Sequence, residues 1–264
     1  MVDLLQRTIV IPADEVIVHR ASRRKVLGNI APLAARAEQI HDGVDHLTHI
    51  HLTVTATVLC RRDPRVALKP EDLNREWIVN ARALHVDGYD TEAATVAAGW
   101  ARAAGIPVIA DLDELYPGVE KLLAQVDYLI VSRDIPCRLI GEPDLEISLR
   151  QMQRRYGCCL TAATLGDNGV LAWNGSQFYQ LSAYAVPVVD TTGAGDIFHA
   201  GFIYGLLQNW PLERQLDFAC AAAALNCTAS GARGGIQSVE AIEKLMATGI
   251  RHAPAHIHCT AGSD

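Results

Sequence analysis

No Cys-x-x-Cys pair occurs among the seven cysteines (Cys60, Cys137, Cys158, Cys159, Cys220, Cys227 and Cys259). Their odd number and scattered spacing speak against a disulfide framework or a zinc site and suit buried or free thiols in a reducing compartment. Positive charge is scarce as well: 23 Lys and Arg stand against 30 Asp and Glu, a formal net charge of -7. The basic groups Arg23-Arg24-Lys25 and Arg61-Arg62 are too short for a nucleic-acid footprint. No apolar run approaches the ~20 residues of a membrane span, and the opening MVDLLQRTIVIPADEV lacks a basic leader with a long apolar core. The expectation is a cytoplasmic protein that meets neither nucleic acid nor membrane.

Two common nucleotide motifs are also missing. A G-x-G-x-x-G beginning at Gly193 would need glycine where Phe198 stands, and no G-x-x-x-x-G-K-[ST] occurs anywhere. Dinucleotide and P-loop readings fall together. His41, His46, His49 and His51 are expected to face solvent, with a metal or substrate role as the weaker alternative, and the run His256 to Cys259 to belong to a terminal tail rather than a ligand set.

What is present is an apolar chain with a regular rhythm. Half of the 264 residues are hydrophobic, enough for one large domain over residues 1–251, with 252–264 as tail. From about residue 75, strands and helices alternate: ALHVDG as strand, TEAATVAAGWARAAG as helix, IPVIADLD as strand, YPGVEKLLAQV as helix, DYLIVS as strand, DLEISLRQMQRRYG as helix, CCLTAAT as strand. GVLAWNGSQFYQLSA follows as a hairpin about Asn174-Gly175. This order predicts a mostly parallel α/β sheet covered on both faces. Three apolar helices close the chain, the first bringing Phe198, Phe202, Ile203 and Leu206 to one face. Residues 1–70 are atypical, with short β-like runs and one plausible helix, PLAARAEQIHDG.

The stretch VPVVDTTGAGDIFHAGFIYGLL places acids, threonines and glycines between an apolar strand and an apolar helix. Glycines flanking one alanine before a helix let backbone N–H groups approach a ligand closely, while the helix dipole points its positive end at it. That is an anion hole. Asp196, held ionised by the same field, could accept a proton from an alcohol while charge on a transferred phosphoryl group is stabilised beside it. An ordinary Asp cap after a glycine turn is the alternative for this heptapeptide alone.

DTTGAGDIFHAGF resembles the C-terminal signature of the PfkB/ribokinase family of carbohydrate kinases. The resemblance implies a ribokinase-like doubly wound α/β fold and transfer of the γ-phosphoryl of ATP, with Mg²⁺, to a hydroxyl of a small carbohydrate. Asp196 would be the general base, and Gly193, Ala194 and Gly195 would face the phosphoryl group. TLGDNG resembles the family's T-x-G-x-x-G turn, so Thr164, Gly166 and Gly169 would line the ATP phosphates; read alone, it is first a hairpin or loop signal. NCTASGARGG resembles the loop beside adenine and a K⁺ ion. It brings in Thr192 and Gly231 for the nucleotide and Asp190, Asn226 and Ala229 for the cation, with a helix C-cap at Gly231 equally compatible.

The resemblance is patchy before Glu71. Asp3 could be a remnant of the sugar-binding strand, but the family's Gly-Gly/Asn-x-Ala segment has no counterpart and the β lid is reduced or incomplete. Ser132-Arg133-Asp134-Ile135 stands where many members carry N-x-x-E for Mg²⁺. A catalytically impaired nucleotide-binding protein derived from such a kinase is therefore the alternative function, and a homodimer formed through lid strands stays open.

Overall fold

The computed structural model describes residues 8–11 and 67–254. Seven strands lie in one sheet in chain order: β1 (Thr8–Ile11), β2 (Ala83–Val86), β3 (Val108–Leu112), β4 (Tyr128–Ser132), β5 (Leu160–Thr164), β6 (Val170–Trp173) and β7 (Phe178–Leu181). The run β2 to β5 is parallel; β1 pairs antiparallel on one edge, and β6 and β7 form the antiparallel hairpin on the other.

Parallel neighbours need a crossover, and helices supply each one. A short α1 (Arg75–Val79) precedes β2; α2 (Thr91–Ala103) and α3 (Val119–Leu123) make the next two crossings; α4 (Ile135–Ile140) and α5 (Leu145–Tyr156) share the third. After β7 come α6 (Ala194–Leu207), α7 (Leu212–Asn226) and α8 (Val239–Thr248).

Strand alternation assigns the layers. Val108, Ala110 and Leu112 enter the core formed with α2 to α5, whereas Ile109 turns to the other face and meets Ile203 of α6. On β4, Leu129 and Val131 go the first way and Ile130 joins the core of α6 to α8. Helices thus cover both faces of a mostly parallel sheet, as the sequence predicts. Helix α6 is held against α7 at very short range: a Cβ on Gly201 would come 2.9 Å from Cα of Ala219. The alanines of α7 make that approach feasible, and Phe198 and Phe202 are buried beside the contact.

Local side-chain contacts fix the ends of several elements. Asp144 accepts the amide of Ile147 at 3.0 Å to cap α5, and Ser238 accepts that of Ala241 at 3.3 Å to cap α8. Asn174 Oδ1 accepts the amides of Ser176 and Gln177, each at 2.9 Å, within the hairpin turn.

Two regions differ from the sequence reading. Val186 to Val189 forms no strand: Pro187 lacks an amide hydrogen, and the amides of Val189 and Asp190 donate instead to the carbonyl of Cys227, at 2.8 and 3.2 Å. Helix α4, with a proline in its first turn, was not expected. At the C-terminal end, Arg251 stacks on the Tyr184 ring, 4.0 Å from its centroid, and pairs with Asp217, and the amide of His252 donates to Ala183 O at 3.0 Å. The expected helix PLAARAEQIHDG and the candidate Asp3 lie outside the described residues.

Candidate active site

The turn at Asp190 is fastened before α6 begins. One carboxylate oxygen of Asp190 accepts the amide of Thr192 at 2.8 Å, and the other accepts the amide of Gly231 at 2.8 Å. Asn226, fully buried at the end of α7, donates through Nδ2 to the carbonyls of Thr192 (3.4 Å) and Ala232 (3.2 Å). Its Oδ1 is buried with no hydrogen-bond partner among the described residues. The fold therefore gathers Asp190, Thr192, Asn226 and Gly231 into one network, with Ala229 in the same loop.

Gly193 then takes φ 82, a left-handed conformation that reverses the chain into α6. It occupies the cap position, so Asp196 is not the N-cap; it lies half-buried in the first turn, at the positive end of the helix dipole, and the amide of Ala194 in that turn donates to Thr191 O at 3.1 Å. Among the described residues, a Cβ built on Gly195 would meet nothing within 4 Å.

Thr164, the last residue of β5, stands beside Ser132 of β4, and its hydroxyl donates to Val131 O at 3.4 Å. Gly166 opens a short 3-10 turn ending at Asn168. Gly169 has φ 79, and a Cβ there would fall 1.9 Å from the carbonyl oxygen of Leu181. Close packing of the hairpin thus demands glycine at this position whatever ligand binds. Asp134, at the start of α4, is engaged by Arg138 at 3.1 Å, and the same guanidinium pairs with Glu114.

A group that the sequence reading passed over lies beneath the turn. In parallel register His85 of β2 neighbours Ile109, and Asp111 follows two residues later on β3, so both belong to the face covered by α6. From α6, His199 sits one turn before Ile203. Its Nδ1 lies 2.8 Å from Gly195 O and 3.4 Å from Asp111 Oδ2, and its Nε2 lies 3.1 Å from Ile130 O. Burial, with His199 adding, pulls His85 down to about 3, so its ring is neutral. Burial pushes Asp111 up to about 6; His199 opposes the rise, and the carboxylates of Asp196, Asp113 and Asp87 add to it. The only sequence signal was polar residues near strand ends on an otherwise apolar face.

The model of the pfkB family carbohydrate kinases matches residues 38–238, a span that contains both turns. The chain belongs to this family. Among curated relatives, an ATP-dependent 6-phosphofructokinase of Thermoanaerobacterium thermosaccharolyticum is 32% identical over 127 residues, covering 48% of this chain and 39% of the relative. A 5-dehydro-2-deoxygluconokinase of Geobacillus kaustophilus is 25% identical over 223 residues, 75% of this chain and 66% of the relative. Among solved structures, Arabidopsis thaliana ribokinase complexed with ribose and ATP superposes with a TM-score of 0.61 at 28% identity, covering 65% of this chain and 58% of that one. The adenosine kinase of Sinorhizobium meliloti gives 0.61 at 26%, with 69% and 59% covered. This chain spans less than two thirds of the length of each. Within the family fold, no described helix is long and apolar enough to cross a membrane.

Proposed function

We propose that the chain is an ATP-dependent phosphotransferase acting on a hydroxyl of a small carbohydrate, with Asp196 as its general base. The observation that carries this reading is the first turn of α6: Gly193 reverses the chain, a Cβ on Gly195 would meet no described atom within 4 Å, and a half-buried carboxylate stands in the same turn. The amides of Gly193, Ala194 and Gly195 would stabilise charge gathering on the phosphoryl oxygens, and Asp196 would take the proton of the attacking hydroxyl.

The nucleotide would lie between the end of β5 and the loop after α7. Thr164 and Gly166 line the near side of its phosphates, Gly169 shapes the turn, and Thr192 and Gly231 bound the far side. A monovalent cation suits the Asp190 network, because the buried Asn226 Oδ1 has no hydrogen-bond partner among the described residues. Asp190 and the loop of Asn226, Ala229 and Gly231 would hold it, and its charge would support the anion hole from behind. Mg²⁺, when bound with ATP, neutralises phosphate charge; Asp134 is tied to Arg138 and does not offer a ready ligand. Asp3 as an acceptor ligand remains a proposal from sequence alone.

Calorimetric titration of MgATP into the full chain, followed by coupled ADP release against a panel of sugars and nucleosides, tests this. Acceptor-dependent release is the expected result. ATP binding with no acceptor would instead support a nucleotide-binding protein derived from a kinase.

A further inference from the structure

We propose that His85, Asp111 and His199 form a binding site for one divalent transition-metal ion of the zinc class, between the sheet and α6. A ring nitrogen of each histidine and a carboxylate oxygen of Asp111 lie within 4.8 Å of one another. Two imidazoles and one carboxylate suit zinc, cobalt or manganese far better than magnesium, which prefers oxygen donors.

Three observations carry the assignment. First, donors about 2.1 Å from a tetrahedral ion stand roughly 3.4 Å apart, and His199 Nδ1 and Asp111 Oδ2 are separated by 3.4 Å. His85 would close on them by roughly 1 Å, a small side-chain rotation. Second, the Nε2 of His85 is buried with no hydrogen-bond partner among the described residues, a costly state for a polar atom. Third, the far nitrogen of His199 faces the Ile130 carbonyl at 3.1 Å, the outer contact that orients a metal-bound imidazole.

The surroundings of His199 fit the same conclusion: its Nδ1 faces Gly195 O and Asp111 Oδ2, and its Nε2 faces Ile130 O. A divalent ion would bond to the Nδ1 of His199, to Asp111 and to a ring nitrogen of His85. The site lies next to the turn of Asp196 but does not depend on the kinase reading.

The test is calorimetric titration of the chelator-treated full chain with Zn²⁺, repeated with His85→Ala and Asp111→Asn. Circular dichroism establishes that each variant is folded, and the near-isosteric Asp111→Asn carries the comparison if His85→Ala does not fold. The expected result is one Zn²⁺ equivalent that is lost or weakened at least a hundredfold in the variants and is not displaced by excess Mg²⁺. Other histidines, such as those at 256 and 258, bind equally in all three proteins and cancel in the difference. Unchanged stoichiometry and affinity in a folded variant, or no Zn²⁺ uptake by the unsubstituted chain, would overturn the proposal.

Discussion

The carboxylate of Asp190 accepts the amide of Gly231 at 2.8 Å across 41 residues of chain. This bond ties the turn before α6 to the loop after α7, and the second oxygen of Asp190 holds Thr192 in place. Asp190→Ala removes two acceptors at once. The expected loss is about 1–3 kcal/mol of stability together with weaker MgATP binding, read by urea denaturation and calorimetry. Unchanged values for both would remove Asp190 from the site's framework.

Asp196→Asn keeps shape and volume but removes the proposed base. With MgATP affinity unchanged, turnover on the best acceptor should drop by a factor of at least about 100. A variant that turns over at close to the normal rate would reject the assignment.

Gly195→Ala and Gly169→Ala make a contrasting pair. At Gly195 the new methyl meets no described atom within 4 Å, so stability should hold within about 1 kcal/mol while the apparent KM for ATP rises. At Gly169 the methyl would strike Leu181 O, with φ already at 79. The fold should lose several kcal/mol, roughly the upper range for single substitutions, visible as a large drop in melting temperature. Equal effects on stability at the two positions would contradict the open anion site.

His85 gives a pH signature. Its folded value of about 3 lies below the ordinary 6.5, so the stability of the neutral form is fully present above pH 6.5 and is lost as pH falls toward 3. By about pH 5 the loss amounts to roughly 2 kcal/mol. Asp111 works in the opposite sense: its folded value of about 6 exceeds 3.8, so its penalty is complete above pH 6 and eases on acidification. Comparison with His85→Leu, both proteins in chelator, isolates the first effect: between about pH 7.5 and about pH 5 the variant should lose about 2 kcal/mol less than the unsubstituted chain. Parallel pH profiles would show that His85 is not held neutral.

Much of this arrangement was legible from residue order. Apolar runs of strand length separated by glycine-stopped helices marked β2 to β5 and their crossovers, because each element repeats a local period that burial on two faces then fixes. The turn from Asp190 to Asp196 was legible because its chemistry is contiguous in sequence. The His85, Asp111 and His199 group was not: its members come from three elements, and only strand register places them on one face. Val186 to Val189 misled because an apolar β-branched run normally pairs, yet here Pro187 and the Cys227 carbonyl divert its backbone.

The strands β2 to β5 stand side by side in the order in which the ribosome delivers them. An emerging chain can therefore assemble this half of the sheet, and bury one side under α2 to α5, from neighbouring segments alone. The opposite side, with Ile109, Ile130, Leu160 and Ala162, stays bare until α6 and α7 have been synthesised. Through that interval the nascent protein exposes a sticky apolar plate, which makes chaperone capture or self-association its characteristic hazard. The turn from Asp190 to Asp196 takes its place last, with the same docking event that hides the plate.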